Sequence, residues 1–312
     1  IRSKMVNSSS DVLFTLSGFN ETMQYRHLVF SVCLVCYFLI VFINITLVLT
    51  VILEKSLHEP MYIFLCNLCI NGVYSTTGFY PKFLADLLSG LYTISYSGCL
   101  LQIMVIYSSV QCDYIILTAM AYDRYVAICR PLEYHTIMTS QKAAKLLLVC
   151  WIVPLCSISI IVIISSTLIL CGFHIDKLYC ENWSIVKLSC FPSTVTNVMG
   201  YTLMLAYFSC FLYILYTYFR LIRTCWRSNG DKSKFMQTCV PHVLVLCNVT
   251  IALLFDLLYT RYGSRNLPQN LKNFMAIEFL VIPPLINPLI YGLQLTKVRN
   301  VVLKVYKIKR LK

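Results

Sequence analysis

Seven long apolar stretches divide this chain, and they leave few folds open to it. They run at about 28–53, 60–84, 97–129, 145–169, 196–219, 235–259 and 271–292. Roughly 20 apolar residues carry a helix across a bilayer, and the longer runs allow tilt without fixing an angle. Inside lipid every backbone N–H and C=O must find a partner within the protein, which leaves helices and closed barrels as spanning structures. These runs are too long and too continuously apolar for barrel strands. The expected fold is an all-α membrane protein, a seven-transmembrane helix bundle forming a single domain over 1–312. Only 12% of the residues are charged, against about 25% in soluble proteins, and no long polar stretch could fold separately.

The formal charge of +13 could suit nucleic acid, but its placement argues otherwise. With the spans set as above, the basic residues gather on one side: Lys55, Arg124, Arg130, Lys142, Lys145, the segment Arg220–Lys234 and the tail Lys297–Lys312. That is the bias of cytoplasmic loops, and apolar spans interrupt every basic cluster. The partner implied is the lipid bilayer, not nucleic acid. In the tail, Val298, Val301, Val302, Val305 and Ile308 recur at helical spacing between Lys and Arg, the pattern of a short amphipathic helix lying on the inner leaflet over 297–312. Residues 1–20 are polar and lack an apolar signal core, so the first span is expected to act as the targeting signal. The sequons at Asn7 and Asn20 fit an N-terminus outside and a C-terminus in the cytoplasm.

Of the 16 cysteines, Cys99, Cys171, Cys180 and Cys190 fall on the outer side. That compartment is oxidising, so an even set of four suggests two disulfides, with three possible pairings. A metal site is the rival reading, but the spacings lack Cys-x-x-Cys. The remaining cysteines read as small packing residues.

The segment Met120–Cys129, MAYDRYVAIC, places Asp123 and Arg124 side by side near the inner end of the third span. Charges at bilayer depth are costly and are normally paired, near an interface, or functional. An acid–base pair at a cytoplasmic helix end is paired and interfacial, and the Arg can be released from the Asp. The run resembles the Asp-Arg-Tyr signature of rhodopsin-like G-protein-coupled receptors, and its longer form resembles that of the odorant-receptor branch. Other elements share the likeness in order and spacing: Asn44, Pro60-Met61-Tyr62, Pro131-Leu132-Glu133-Tyr134, Thr217-Tyr218, KFMQTCVPH from Lys234 to His242, and PLINPLIY from Pro284 to Tyr291.

The resemblance implies roles. Cys99 would bridge Cys180, and Cys171 would bridge Cys190. Asp123, Arg124, Tyr125, Tyr218, Asn287, Pro288 and Tyr291 would form the coupling switch. Pro288 breaks the helical ladder, Tyr218 and Tyr291 approach Arg124 as it leaves Asp123, and the tail helix of a G-protein α subunit enters the inner cavity. The ligand would be a small organic or water-borne odorant held in the outer half of the bundle by Ile106, Tyr107, Val110, Gln111, Thr202, Ala206, Thr250, Leu253, Leu254, Leu257, Ile277 and Leu280. Asp256, Arg261, Lys272 and Glu278 would form a charged rim that either reads a polar ligand or clasps itself. The partners implied are the odorant and a stimulatory heterotrimeric G protein that raises cyclic AMP. No cofactor is called for.

Asp113 lies about three turns before Arg124, on a similar face. The resemblance sets it near the family's sodium pocket, so it is a candidate sodium ligand or a protonated, hydrogen-bonded acid. Gly72 stands where most relatives carry Asp, with Asn71 beside it. Pro241 and Val249-Thr250-Ile251 depart from the mammalian pattern and look like the fish-type branch. A transporter would need midplane ion sites and often inverted repeats, and no repeat is visible. An enzyme would need a motif such as Gly-x-Ser-x-Gly or His-Glu-x-x-His, and neither occurs. A non-olfactory rhodopsin-like receptor is the nearer rival; an amine receptor would want an acid at Ile106.

Overall fold

The computed structural model describes residues 13–17, 25–227, 240, 242–251, 253, 269–295 and 297–301. In chain order the elements are β1 (Leu13–Leu16), α1 (Arg26–Leu53), α2 (Pro60–Thr77), α3 (Tyr80–Ser89), β2 (Thr93–Ser95), α4 (Tyr96–Cys129), α5 (Tyr134–Ile137), α6 (Ser140–Ser166), β3 (His174–Ile175), α7 (Asn182–Leu188), α8 (Thr194–Arg227), α9 (His242–Ile251, as described) and α10 (Gln269–Gln294). Among the described helices, α1, α4, α6 and α8 are long and apolar enough to cross a membrane. The molecule is an all-helical membrane bundle.

The burial pattern follows from a lipid surround. On α1 a stripe of Ile40, Asn44, Leu47, Thr50 and Val51 is buried, while Val32, Val35, Phe38, Phe42 and Leu49 are exposed. In water that outer face would be an aggregation surface; against acyl chains it costs nothing. Helix α4 is the central post and packs against α2, α6 and α8. Its start is capped by Ser95, whose Oγ accepts from the Gly98 amide at 3.1 Å.

Two breaks in the helices have identifiable causes. The stretch 60–84, expected as one span, is two helices, α2 and α3. Pro81 lacks an amide hydrogen and would clash with the carbonyl four residues back, so the chain turns at Gly78-Phe79. The tightened bonds Gly78 N–H to Ser75 O (3.2 Å) and Phe79 N–H to Thr76 O (3.3 Å) close α2. Gln102 of α4 donates to the freed Gly78 carbonyl at 2.8 Å, and a Cβ at Gly78 would lie 2.9 Å from Val105 Cγ1, so only glycine fits this approach. In α10, Pro288 cannot donate to the carbonyl of Pro284. Asn44 Nδ2 donates to that oxygen instead, at 2.9 Å, while also bonding the Ile40 carbonyl of its own helix. One polar side chain in α1 thus repairs the defect that Pro288 makes in α10.

Outside, β1 pairs antiparallel with β2 (Phe14 opposite Ile94) and parallel with β3 (Leu16 opposite Ile175), in the order β2-β1-β3. Leu13 and Thr15 face out, Phe14 and Leu16 in. The inward pair joins Ile94, Tyr96, Ile103, Ile175 and Ile185 in a second apolar cluster above the main core. The central strand β1 falls within residues 1–20, the stretch expected to be polar. Disulfides Cys99–Cys180 and Cys171–Cys190 tie the long outer loop, with Cα atoms 5.3 and 5.0 Å apart. At the inner side Val298 is buried and Lys297 bonds Glu59 at 2.8 Å, a contact that raises the lysine's pKa and docks the start of the tail helix. The remainder of the tail lies outside the described residues.

Candidate functional site

At the inner end of α4, Asp123 is 0% exposed and saturated with donors. Arg124 folds back on it, with Nε 2.9 Å from Oδ2 and Nη2 also bonded to that oxygen. Tyr134, held in α5 by the turn that Pro131 opens, donates its hydroxyl to Oδ1 at 2.9 Å. Burial and the Asp123 charge push the Tyr134 phenol up, so it stays a donor. Beside them Lys142 bonds the Tyr122 hydroxyl at 3.0 Å and stands over its ring. Tyr125 packs, partly buried, against the core.

Tyr218 of α8 and Tyr291 of α10 are both buried, and between them lies His242 of α9. The Tyr291 hydroxyl is 3.0 Å from His242 Nδ1, and the imidazole is 5.1 Å from the Tyr291 ring and 6.5 Å from that of Tyr218. Asn287 and Pro288 stand one turn outward on α10, Asn287 buried. In this arrangement the acid holds the arginine, and the histidine is in contact with the Tyr291 hydroxyl.

Halfway through the bundle, Asp113 opens on a cavity of about 390 Å³ including its open mouth, lined also by Ser75, Ile106, Ser109, Val110, Val249, Leu280, Pro283 and Pro284. Asn71 presents its NH₂ to Asp113 Oδ1 at 2.7 Å and to the Ser109 carbonyl at 2.7 Å. A Cβ at Gly72 would lie 3.0 Å from Asn44 Oδ1, and the described residues hold no group of three His, Cys, Asp or Glu. The Asp113 carboxylate is thus met by an amide donor, while the side-chain oxygens of Asn44 and Asn71 are buried with no hydrogen-bond partner among the described residues.

Farther out a second cavity, about 610 Å³ including its open mouth, lies between α4, α6, α7 and α8. Tyr107 lines it, with Ile103, Ile158, Ile161, Glu181, Asn182, Trp183, Gly200, Leu203, Met204 and Tyr207.

A model of the olfactory receptor family matches residues 32–309. The chain belongs to the olfactory receptor family. It is 33% identical to human olfactory receptor 11H6 over 287 residues, covering 90% of this chain and 86% of the relative. To mouse olfactory receptor 6E1 the identity is 28% over 312 residues, 95% and 96% of the two chains. To human olfactory receptor 6N1 it is 32% over 309 residues, 95% of each. It is therefore an odorant receptor and a multi-pass protein of the plasma membrane, not an enzyme.

The receptor's residues divide differently from the expected ligand set. Ile106, Val110 and Leu280 meet at the middle cavity and Tyr107 at the outer one. Gln111 does not share the Tyr107 cavity: it is turned to α6, where it accepts from the Ser157 hydroxyl at 2.7 Å. Thr202 and Ala206 are exposed on the lipid side of α8, and the Thr202 hydroxyl is spent on the Val198 carbonyl. Their neighbours Leu203 and Tyr207 face the cavity instead, because α8 is apolar all round and its sequence does not reveal which face turns inward. Thr250 accepts from the Tyr114 hydroxyl at 3.0 Å, and Leu253 is buried. Leu254, Leu257, Asp256, Arg261, Asn7, Asn20 and Pro241 lie outside the described residues, as do the side chains of Ile277 and Lys272; Glu278 is partly buried.

Sequence reasoning missed Tyr134 and His242. Both stand in motifs singled out above, but without a role. The available signal was that a polar ring at the inner end of an apolar helix needs a buried partner. Glu181 and Trp183 were also missed, since the loop was read for its cysteines alone.

Proposed function

We propose that this receptor binds a small odorant in its outer cavity and, on binding, releases Arg124 to engage a stimulatory heterotrimeric G protein, raising cyclic AMP. The observation that carries the reading is the restraint of Arg124 by Asp123 and Tyr134 at the inner face, beside Tyr218, His242 and Tyr291. Basic residues beside α4 and in the tail support a cytoplasmic C-terminus and an outside N-terminus, and the whole chain acts as one seven-span domain. Pro241 and Val249-Thr250-Ile251 support the fish-type branch.

The test needs no ligand. In cells carrying Asp123→Asn to raise ligand-free output, adding Arg124→Ala should return cyclic AMP to the level of cells without receptor, at unchanged surface protein. Persistence of the raised output in the double variant refutes the coupling role of Arg124. A rise in a different second messenger would overturn the choice of G protein alone.

A further inference from the structure

We propose that the inner end of the bundle carries a binding site for the headgroup of an anionic phospholipid of the cytoplasmic leaflet, built from Lys142 and the phenols of Tyr122, Tyr213 and Tyr216 on the lipid-facing side of α4, α6 and α8. The cytoplasmic side is taken from the orientation proposed above. Lys142 stands in the first turn of α6, and that turn contains no acidic residue. The positive end of a helix dipole disfavours a cation there and favours an anion. Among the described residues the Lys142 ammonium bonds the Tyr122 hydroxyl at 3.0 Å and lies 5.0 Å from the centroid of that ring, and it pairs with no carboxylate. Other cations at this end differ: Arg124 is held by Asp123, Arg130 faces Glu133 at 3.7 Å, and Lys297 bonds Glu59. An ammonium has three donors. Lys142 is thus half of an ion pair whose acid the described chain does not supply.

The other half fits a membrane lipid. Tyr213 and Tyr216 of α8 are 40% and 55% exposed and stand one turn apart on one face of the helix. The Tyr213 phenol is within electrostatic reach of the phenols of Tyr122, Tyr125 and Tyr216. Those rings and Lys142 therefore form one patch across α4, α8 and the start of α6, and Lys145 follows on the exposed side of α6. From this patch toward the midplane the outward surface turns apolar, with Leu212 and Phe208 on α8 and Leu148 and Val149 on α6. A soluble anion would meet only the polar part of that surface. A phospholipid meets both parts: its phosphate oxygens accept from the ammonium and the phenols, and its acyl chains lie along the apolar side chains. Anionic lipids are concentrated in the cytoplasmic leaflet, and tyrosine is enriched at headgroup depth.

The test places the full receptor in phosphatidylcholine nanodiscs. Photo-crosslinkable phosphatidylserine is titrated in, and in parallel phosphatidylcholine with the same acyl chains and label; crosslinked peptides are then mapped. Phosphatidylserine should label the start of α6 and the Tyr213–Tyr216 turn, half-saturating at least about tenfold below phosphatidylcholine, the worth of one charged hydrogen bond. Lys142→Gln should raise that half-saturation by about tenfold or more, and Lys142→Arg should keep most of the binding. Tyr213→Phe combined with Tyr216→Phe should weaken it by about two- to twelvefold. Lys55→Gln, on the same side of the bundle but outside the patch, should change nothing. Melting temperatures in pure phosphatidylcholine discs should stay level across these variants, whereas a purely structural Lys142 would lower the melting temperature and leave the lipid preference alone. Equal labelling by the two lipids, or equal losses from Lys142→Gln and Lys55→Gln, overturns the inference. Displacement of the lipid by soluble glycerophosphoserine would reveal a site for soluble anions and overturns it as well. Nanodiscs offer the lipid in both leaflets, so finding the Lys142 end outside the cell would sink the proposed orientation and leave the headgroup site standing.

Discussion

Replacing Asp123 with Asn tests the restraint most directly, because shape is kept and charge is removed. In the structure the carboxylate takes two donors from Arg124 and one from Tyr134, with no exposure to water. A hydrogen bond to a charged group contributes about 1.5–3 kcal/mol net. Asn keeps one acceptor oxygen, so one such interaction with Arg124 is the expected loss. The inactive state should therefore lose about 1.5–3 kcal/mol against the active one, a shift of roughly 12- to 150-fold in their ratio. A receptor active about 1% of the time at rest would then be active at least about 10% of the time. Tyr134→Phe removes only the single phenolic bond and should raise output less. The assay is ligand-free cyclic AMP, divided by surface protein measured on the same cells. Asp123→Asn at normal surface density with unchanged output, or Tyr134→Phe raising output more than Asp123→Asn, would refute the reasoning.

Three further outcomes are expected. His242→Phe keeps the ring but not the contact with the Tyr291 hydroxyl, so ligand-free output should rise by about two- to twelvefold; unchanged output shows that this contact does not restrain the receptor. Asn44→Ala strands the Pro284 carbonyl and should destabilise the purified receptor by about 1–3 kcal/mol, seen as a lowered melting temperature, while Asn44→Asp should restore little because a carboxylate offers no amide donor. Cys99→Ser should lose about 2–5 kcal/mol with its bridge and much of its surface delivery, whereas Cys33→Ser, at a partly buried free cysteine, should be delivered normally; equal delivery of the two removes the bridge from the account of folding.

The parts of this receptor that could be read from its residues are those where lipid leaves no choice. An apolar run long enough to span must be a helix, and a charge inside it must be paired, so Asp123 and Arg124 announce each other. Asn44 and Pro288 are legible for the same reason, although only the structure shows that one answers the other across helices far apart in sequence. The break at Gly78 was equally present in the sequence: Pro81 follows it, and a proline within an apolar run signals an interruption that length alone conceals. The β1 strand was hidden by scale. Four residues, LFTL, carry the alternation of a strand, but their partners lie in loops that no local pattern brings together.

The outer cavity was the least legible part, and the reason is physical. In water a helix declares its inward face by putting polar residues outward. In a bilayer both faces are apolar, so Leu203 and Tyr207 facing the cavity look like Thr202 and Ala206 facing lipid. What distinguishes the faces is polar bookkeeping. Thr202 spends its hydroxyl on its own helix, as a lipid-facing threonine must, and Gln111 spends its amide oxygen on Ser157 of the next helix. Tyr207 is buried with its hydroxyl unspent among the described residues. In such a bundle the position of a residue on the helical wheel says less about ligand contact than whether the protein itself has already used its polar atoms. By that criterion Gln111→Leu should loosen the α4–α6 contact and lower thermal stability without selectively shifting odorant potency, while Tyr107→Ala should shift potency. Equal potency shifts from the two, at equal stability, would return Gln111 to the ligand site.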